Sequence, residues 1–287
     1  MENINQLIAW HENDEHQRII DAIETIPRNQ RDFELSGLYA RALNNLDRFQ
    51  EALEVLTAFA EEGRENGLWH FRVGYSLYYL NREAEAADYF LKAIAFGDDV
   101  EDTREMLRRS RLRATLKATL QRGETRPPIF AAELQKPGKD PWDFLFVLLD
   151  KYFEMIAIDN TLPQRFSPSQ HTLLAFQYLS GQVSNGGFIQ LIHNRYGPYI
   201  FDNPFSETIK AWGAAEIAKI TEEAKILYII YKKKLEAEMP MEEFSKLYEE
   251  IQDFQPLEDR FDEIMDSETE KVTKYVTEHI REFAILL

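Results

Sequence analysis

The run His11-Glu12-Asn13-Asp14-Glu15-His16 holds residue types that bind metals, with His11 and Glu15 one helical turn apart. A zinc protease needs a third ligand at a set spacing; none follows, and a hydrated N-terminal helix is the plainer reading. His193 and His279 have no serine or acid spaced to make a nucleophile relay, which leaves them as packing or hydrogen-bonding residues. Gly186-Gly187 lacks the lysine of a phosphate-cradling loop. Zero cysteines remove disulfides, thiolate metal sites and cysteine nucleophiles together. The chemistry-bearing residues therefore point to no catalytic residues, no cofactor and no metal. A non-catalytic protein-binding protein is expected, with a hydrolase-type enzyme of unknown substrate, or a dimerising scaffold, as the alternatives.

Charge is the stronger signal. From Glu249 to Asp266 stand eight carboxylates, Glu249, Glu250, Asp253, Glu258, Asp259, Asp262, Glu263 and Asp266, against one base, Arg260. Like charges four residues apart on a helix cost roughly a few tenths of a kcal/mol each. A merely solvated helix more often alternates signs, as Glu242/Lys246 and Glu270/Lys274 do. Carboxylates about 6 Å apart approach the spacing of successive phosphates, so such a face can enter a basic DNA-binding groove. An acidic face serving only solubility is the competing reading.

The chain of 287 residues is long enough for two domains, and 44% hydrophobic content argues for folded cores. Its longest apolar runs, Phe144 to Leu149 and Ile226 to Tyr231, are too short to span a bilayer, and the N-terminus lacks a signal-peptide pattern; the cytoplasm is the expected location. The net charge of −17 is uneven: residues 1–125 carry −7, residues 126–233 carry 0 and residues 234–287 carry −10. That field disfavours direct nucleic-acid binding and favours protein partners with a basic surface; a homodimer stays open. Against the trend, Arg104 to Arg122 holds seven bases and one acid, Glu105, which suits an intramolecular or dimer contact.

These residues require helices to position them. Aligning Ala52 on Ala86 gives a period of 34 that also superposes Ala40 on Gly74 and Leu46 on Leu80, the spacing of tetratricopeptide repeats. Small residues fit where two helices of a hairpin cross closely. The spacing predicts hairpins over 32–46 with 48–61 and 67–80 with 84–96, half of a degenerate repeat at 17–23, and a capping helix or helix pair over 100–120. Their groove-facing positions would be Arg41, Asn44 and Asn45 in one repeat and Phe71, Tyr75, Tyr78 and Tyr79 in the next. Prolines and glycines between Gly123 and Pro141 mark a linker, which divides the chain into a tetratricopeptide-like domain (1–122) and a helical domain (142–287). Ser167-Pro168-Ser169-Gln170 opens a helix with a capping box. Ser206 and Thr221 are expected to cap helices over 207–220 and 222–238, followed by helices at 241–253, 257–265 and 268–283. No alternating strand stands out, and the fold class is all-α throughout.

Within the second domain, Asn185-Gly186-Gly187-Phe188 is flanked by helical sequence, with Asn194 and Gly197 following. Two glycines there predict a sharp break between packed helices, with Asn185 as a helix cap or turn support. The segment resembles the core motif of the bacterial DNA-mimic protein family. Ala211-Trp212-Gly213-Ala214, Leu257-Glu258-Asp259-Arg260-Phe261 and Tyr275-Val276-Thr277-Glu278-His279 are similar to its later signatures, so the resemblance extends over 142–283. Gln182 stands where that family commonly has an acid, and Leu191-Ile192 replaces an aromatic pair. The resemblance implies that the acidic helices occupy the basic surface of a DNA-binding regulator.

Overall fold

The computed structural model describes residues 4–134 and 140–287 and divides the chain into two compact units, up to Ala118 and from Thr119. The boundary falls inside a helix, upstream of the expected linker. The fold is all-α; among the described residues the strands are two-residue segments, β1 (Pro128–Ile129) and β2 (Ile285–Leu286), paired in parallel. No helix among the described residues is long and apolar enough to cross a membrane.

In the first unit, α1 (Ile4–Glu12) and α2 (His16–Glu24) precede two hairpins, α3 (Phe33–Asn45) with α4 (Phe49–Thr57) and α5 (Gly67–Tyr79) with α6 (Glu83–Ala95). Side chains start α3 and α5: Asp32 accepts from the Leu35 N–H at 2.9 Å, and Asn66 from that of Trp69 at 2.8 Å. Ala40, Ala52 and Ala86 are fully buried, and a Cβ on Gly74 would stand only 3.0 Å from Phe90, so small residues do occupy the close crossings. The long helix α7 (Glu101–Gln121) carries the basic run, and much of that charge is answered locally. Arg104 pairs with Asp99, Arg108 with Glu101 and Glu105, and Lys117 and Arg113 reach Glu83 at 2.6 and 3.4 Å. Glu83 is only 2% exposed, so this pairing neutralises a buried charge.

In the second unit, half of the expected linker is structural. Arg126 donates to the Arg281 carbonyl at 2.9 Å, Gln170 donates to the Thr125 carbonyl at 3.1 Å, and Ile129 is fully buried. Two prolines suit an extended edge segment as well as they suit a linker, which is why sequence alone misplaces it. Lys136 to Lys139 lie outside the described residues. After α8 (Ala131–Leu134), α9 (Pro141–Ile158) is capped by Asp140, and α10 (Pro168–His193) opens with the Ser167/Gln170 capping box. Gln170 also donates to the hydroxyl of buried Tyr152, which in turn donates to the Phe283 carbonyl at 2.7 Å.

The remaining helices are α11 (Gly197–Phe201), α12 (Phe205–Ala211), α13 (Ala215–Leu235), α14 (Met241–Glu250), α15 (Gln255–Glu278) and α16 (Ile280–Phe283). The break expected at Thr221 falls instead at Gly213, whose φ of 100° suits glycine; Thr221 is interior to α13 and donates back to the Ile217 carbonyl. The expected helices over 257–265 and 268–283 are largely one continuous α15, because no glycine or proline interrupts 258–278. Glu83→Ala should lower stability by about 2 kcal/mol, since it leaves two cations without their shared acceptor; denaturant unfolding of the full chain checks this.

Candidate functional site

The glycine pair breaks α10 as expected: Gly186 has φ −163° and ψ 30°, Gly187 φ 70° and ψ −174°. The break frees the amide of Phe188, which donates to Glu258 Oε1 on α15 at 2.8 Å. A Cβ on Gly187 would stand 2.1 Å from that oxygen, so glycine serves both the positive φ and the close approach of the carboxylate. Tyr248 on α14 donates to the Gly186 carbonyl at 2.9 Å. Phe188 itself is fully buried, with ring centroids 5.8 Å from Phe254 and 6.2 Å from Phe261. Asn185, the expected cap, is exposed; the capping oxygen arrives from a helix distant in sequence. Asn194 and Gln190 both donate to Gln182 Oε1, at 2.7 and 3.3 Å, which bridges the two sides of the break. Gly197 lies under Tyr228, where a Cβ would come within 2.6 Å of the ring.

Glu258 thus leaves the set of outward-facing acids. Burial holds its carboxyl above the usual range; the Phe188 N–H opposes this, and the nearby Asp259 and Asp262 charges add to it. A second acid missed in sequence behaves alike. Glu268 is 1% exposed, accepts from the Glu216 and Ile217 amides at 3.0 and 3.2 Å at the start of α13, and pairs with Lys271. Its phase is legible in hindsight, because it occupies an apolar slot in the row Leu257, Phe261, Met265, Val272 and Val276.

The other face of α15 is different. Asp259, Asp262, Glu263 and Asp266 are exposed along one side, and none of them is in an ion pair among the described residues. Asp259 accepts from Gln255 at 2.8 Å. They extend over roughly 10 Å of helix axis. Glu270 continues the same side; Lys274, its expected partner, reaches Glu278 instead at 3.9 Å. Arg260 turns to Glu223 at 2.6 Å. Of the acids before α15, Glu250 pairs with Lys234, Asp253 accepts from Tyr231, and Glu249 is exposed.

In the first unit the expected groove set also divides. Arg41 is exposed, Asn45 meets His16 Nε2 at 3.1 Å, and Tyr79 is 42% exposed with its ring stacked 4.7 Å from Phe49. Phe71 and Tyr75 are half-buried neighbours. Asn44 is buried between α3 and α5, accepting from Ser76 at 2.9 Å, and Tyr78 is buried with Arg109 and Arg113 over its ring. Both leave the groove because their helix faces are claimed by neighbouring helices. His193 meets the Leu235 carbonyl and His279 that of Tyr275. Among the described residues no group of three or more His, Cys, Asp or Glu is placed to hold a metal ion.

A family model described as DMP19-like protein matches residues 164–279, inside the second unit. This segment is similar to the DMP19-like family. A DNA mimic protein, DMP19, from Neisseria meningitidis serogroup B is 40% identical over 100 residues, 34% of this chain. The chain covers 60% of that relative's length. The span matched by the family model contains the glycine break, Glu258, Glu268 and the outward stripe of α15.

Gly187→Ala should cost about 2 kcal/mol through φ strain and collision with Glu258, whereas Gly186→Ala has no positive φ, collides chiefly with the amide end of Gln190 and should cost less. Glu258→Ala should cost about 1 kcal/mol by loss of the cap. Glu258→Gln keeps the acceptor and should sit near wild type. A raised folded pKa in a carboxyl means stability lost as pH rises through the folded value, so the Gln variant should gain on wild type as pH increases from acid to neutral. Thermal unfolding of the variants at both pH values checks these expectations.

Proposed function

We propose that this protein is a non-catalytic binder whose outward α15 stripe presents carboxylates in place of DNA phosphates to the basic surface of a DNA-binding regulator in the cytoplasm. The observation that carries the reading is the arrangement of Asp259, Asp262, Glu263 and Asp266. They stand exposed on one helix side without cationic partners among the described residues, while the bases nearest in sequence, Arg260 and Lys271, are engaged with Glu223 and Glu268. A rigid row of like charges costs stability in the free protein and gains attraction only from a cationic partner. The similarity to a protein named a DNA mimic supports the same reading. The helical hairpins of the first unit, in this reading tetratricopeptide-like, recruit a further protein through the Tyr75 and Tyr79 strip.

Immobilised full-length protein should retain a basic DNA-binding protein from a lysate of the source cell, released both by salt and by duplex DNA. Substituting Asp259, Asp262, Glu263 and Asp266 by lysine should abolish retention with helix content intact, as circular dichroism would show. Retention by the quadruple variant, or simultaneous binding of DNA and this protein, would refute the reading.

A further inference from the structure

The first unit, taken alone, holds charge of the opposite sign in an unusual setting. Gly37 has no side chain where a Cβ would lie 2.4 Å from Arg72 Nη1, so the guanidinium from α5 passes over α3 at that point. Arg41 follows Gly37 by one turn on the same side of α3. Arg72 Nε is buried and makes no hydrogen bond, and neither Arg72 nor Arg41 is in an ion pair among the described residues. His11 and His16 add two rings 5.1 Å apart, each with a buried Nδ1 that also lacks a partner. The acids nearby act elsewhere or from farther off: Asp14 lies 3.5 Å from His16, Asp98 accepts from Thr103, and Glu12 reaches Arg41 only at longer range.

This is costly. Burial, reinforced by the Arg41 charge, pushes the Arg72 guanidinium down to about 10. Burial, followed by the Arg41 charge, also lowers His11. A desolvated guanidinium with an unused donor destabilises a fold, and the charge of exposed Arg41 beside it adds repulsion. Arginine's planar fork is suited to a carboxylate, which would supply the missing acceptors bidentately. Phe71, the residue before Arg72, begins the half-buried strip that runs through Tyr75 to exposed Tyr79, with successive ring centroids 6.1 and 4.8 Å apart. A ligand with carboxylates at the arginines and apolar groups along the rings fits both halves of this surface.

We propose that Arg41 and Arg72, flanked by His11 and His16, form a carboxylate-binding site that takes an acidic-apolar segment of a partner protein. The site is independent of the α15 stripe and stands whether or not that stripe binds a DNA-binding regulator.

The test uses full-length protein and a labelled peptide of repeated Glu-Glu-Leu units with an amidated C-terminus, read by fluorescence anisotropy at neutral pH. The Glu peptide should bind and its Gln-Gln-Leu counterpart should not. Arg72→Met and Arg41→Met should each weaken binding at least about tenfold, with the melting temperature of Arg72→Met no lower than wild type. Arg64→Met, away from the cluster, should bind as wild type does. Equal binding by Arg72→Met, with or without a fall in melting temperature, would make Arg72 a structural residue and overturn the proposal. Equal binding of the Gln peptide, or displacement of the Glu peptide by inorganic phosphate at matched ionic strength, would overturn the assignment to an acidic protein segment.

Discussion

The hydrogen bond from the Phe188 amide to Glu258 joins two helices that are 70 residues apart in sequence. It exists because α10 is broken: a continuous helix would spend that amide on a carbonyl one turn back, whereas the Gly187 backbone, at φ 70°, turns it outward to the carboxylate. The same glycine leaves room for the carboxylate to approach. With Glu258 fixed at the break and Glu268 fixed on the first amides of α13, α15 has a single rotational setting. At about 100° per residue, that setting turns Leu257, Phe261, Met265, Val272 and Val276 inward and places Asp259, Asp262, Glu263 and Asp266 on an adjoining arc roughly 100° wide. The outward charge pattern is therefore a consequence of the inward caps.

Acids in this protein do two distinct jobs. Inward carboxylates answer groups that would otherwise be buried and unsatisfied: amides at two helix starts, and the cations Lys117 and Arg113 at Glu83. Outward ones on α15 meet no cation among the described residues. The arginines of the first unit show the converse case. Those of α7 are in part matched to local acids, while Arg72 buries an unused Nε donor in a chain with an excess of carboxylates. Unmatched charge in a protein so well supplied with its opposite marks surfaces where intramolecular stability is not the governing constraint.

Much of the fold is legible in the sequence because its signals are local. The Ser167/Gln170 capping box needs only four residues, the 34-residue spacing places α3 to α6, and the glycine pair announces the break in α10. What escapes is decided by contacts between distant segments. Glu258 and Asp259 are neighbours of like chemistry, and only the phase of α15 against the core makes one a half-buried cap and the other a surface charge. Asn44 and Tyr78 fit a groove pattern equally well, yet the packing of α5 and α7 against them takes them inside. Arg126 and the two prolines after it read as linker until Arg281 in α16 and the strand β2 provide their partners.

Whether Glu258 faces inward as a cap, and so orients the acidic side of α15, can be read from an NMR titration that follows the Glu258 side-chain carboxyl and the Phe188 amide proton in the full chain. Both should report one titration, with a midpoint above that of an ordinary glutamate. A Phe188 amide that ignores the titration, or a Glu258 midpoint at or below the ordinary value, would contradict the inward cap.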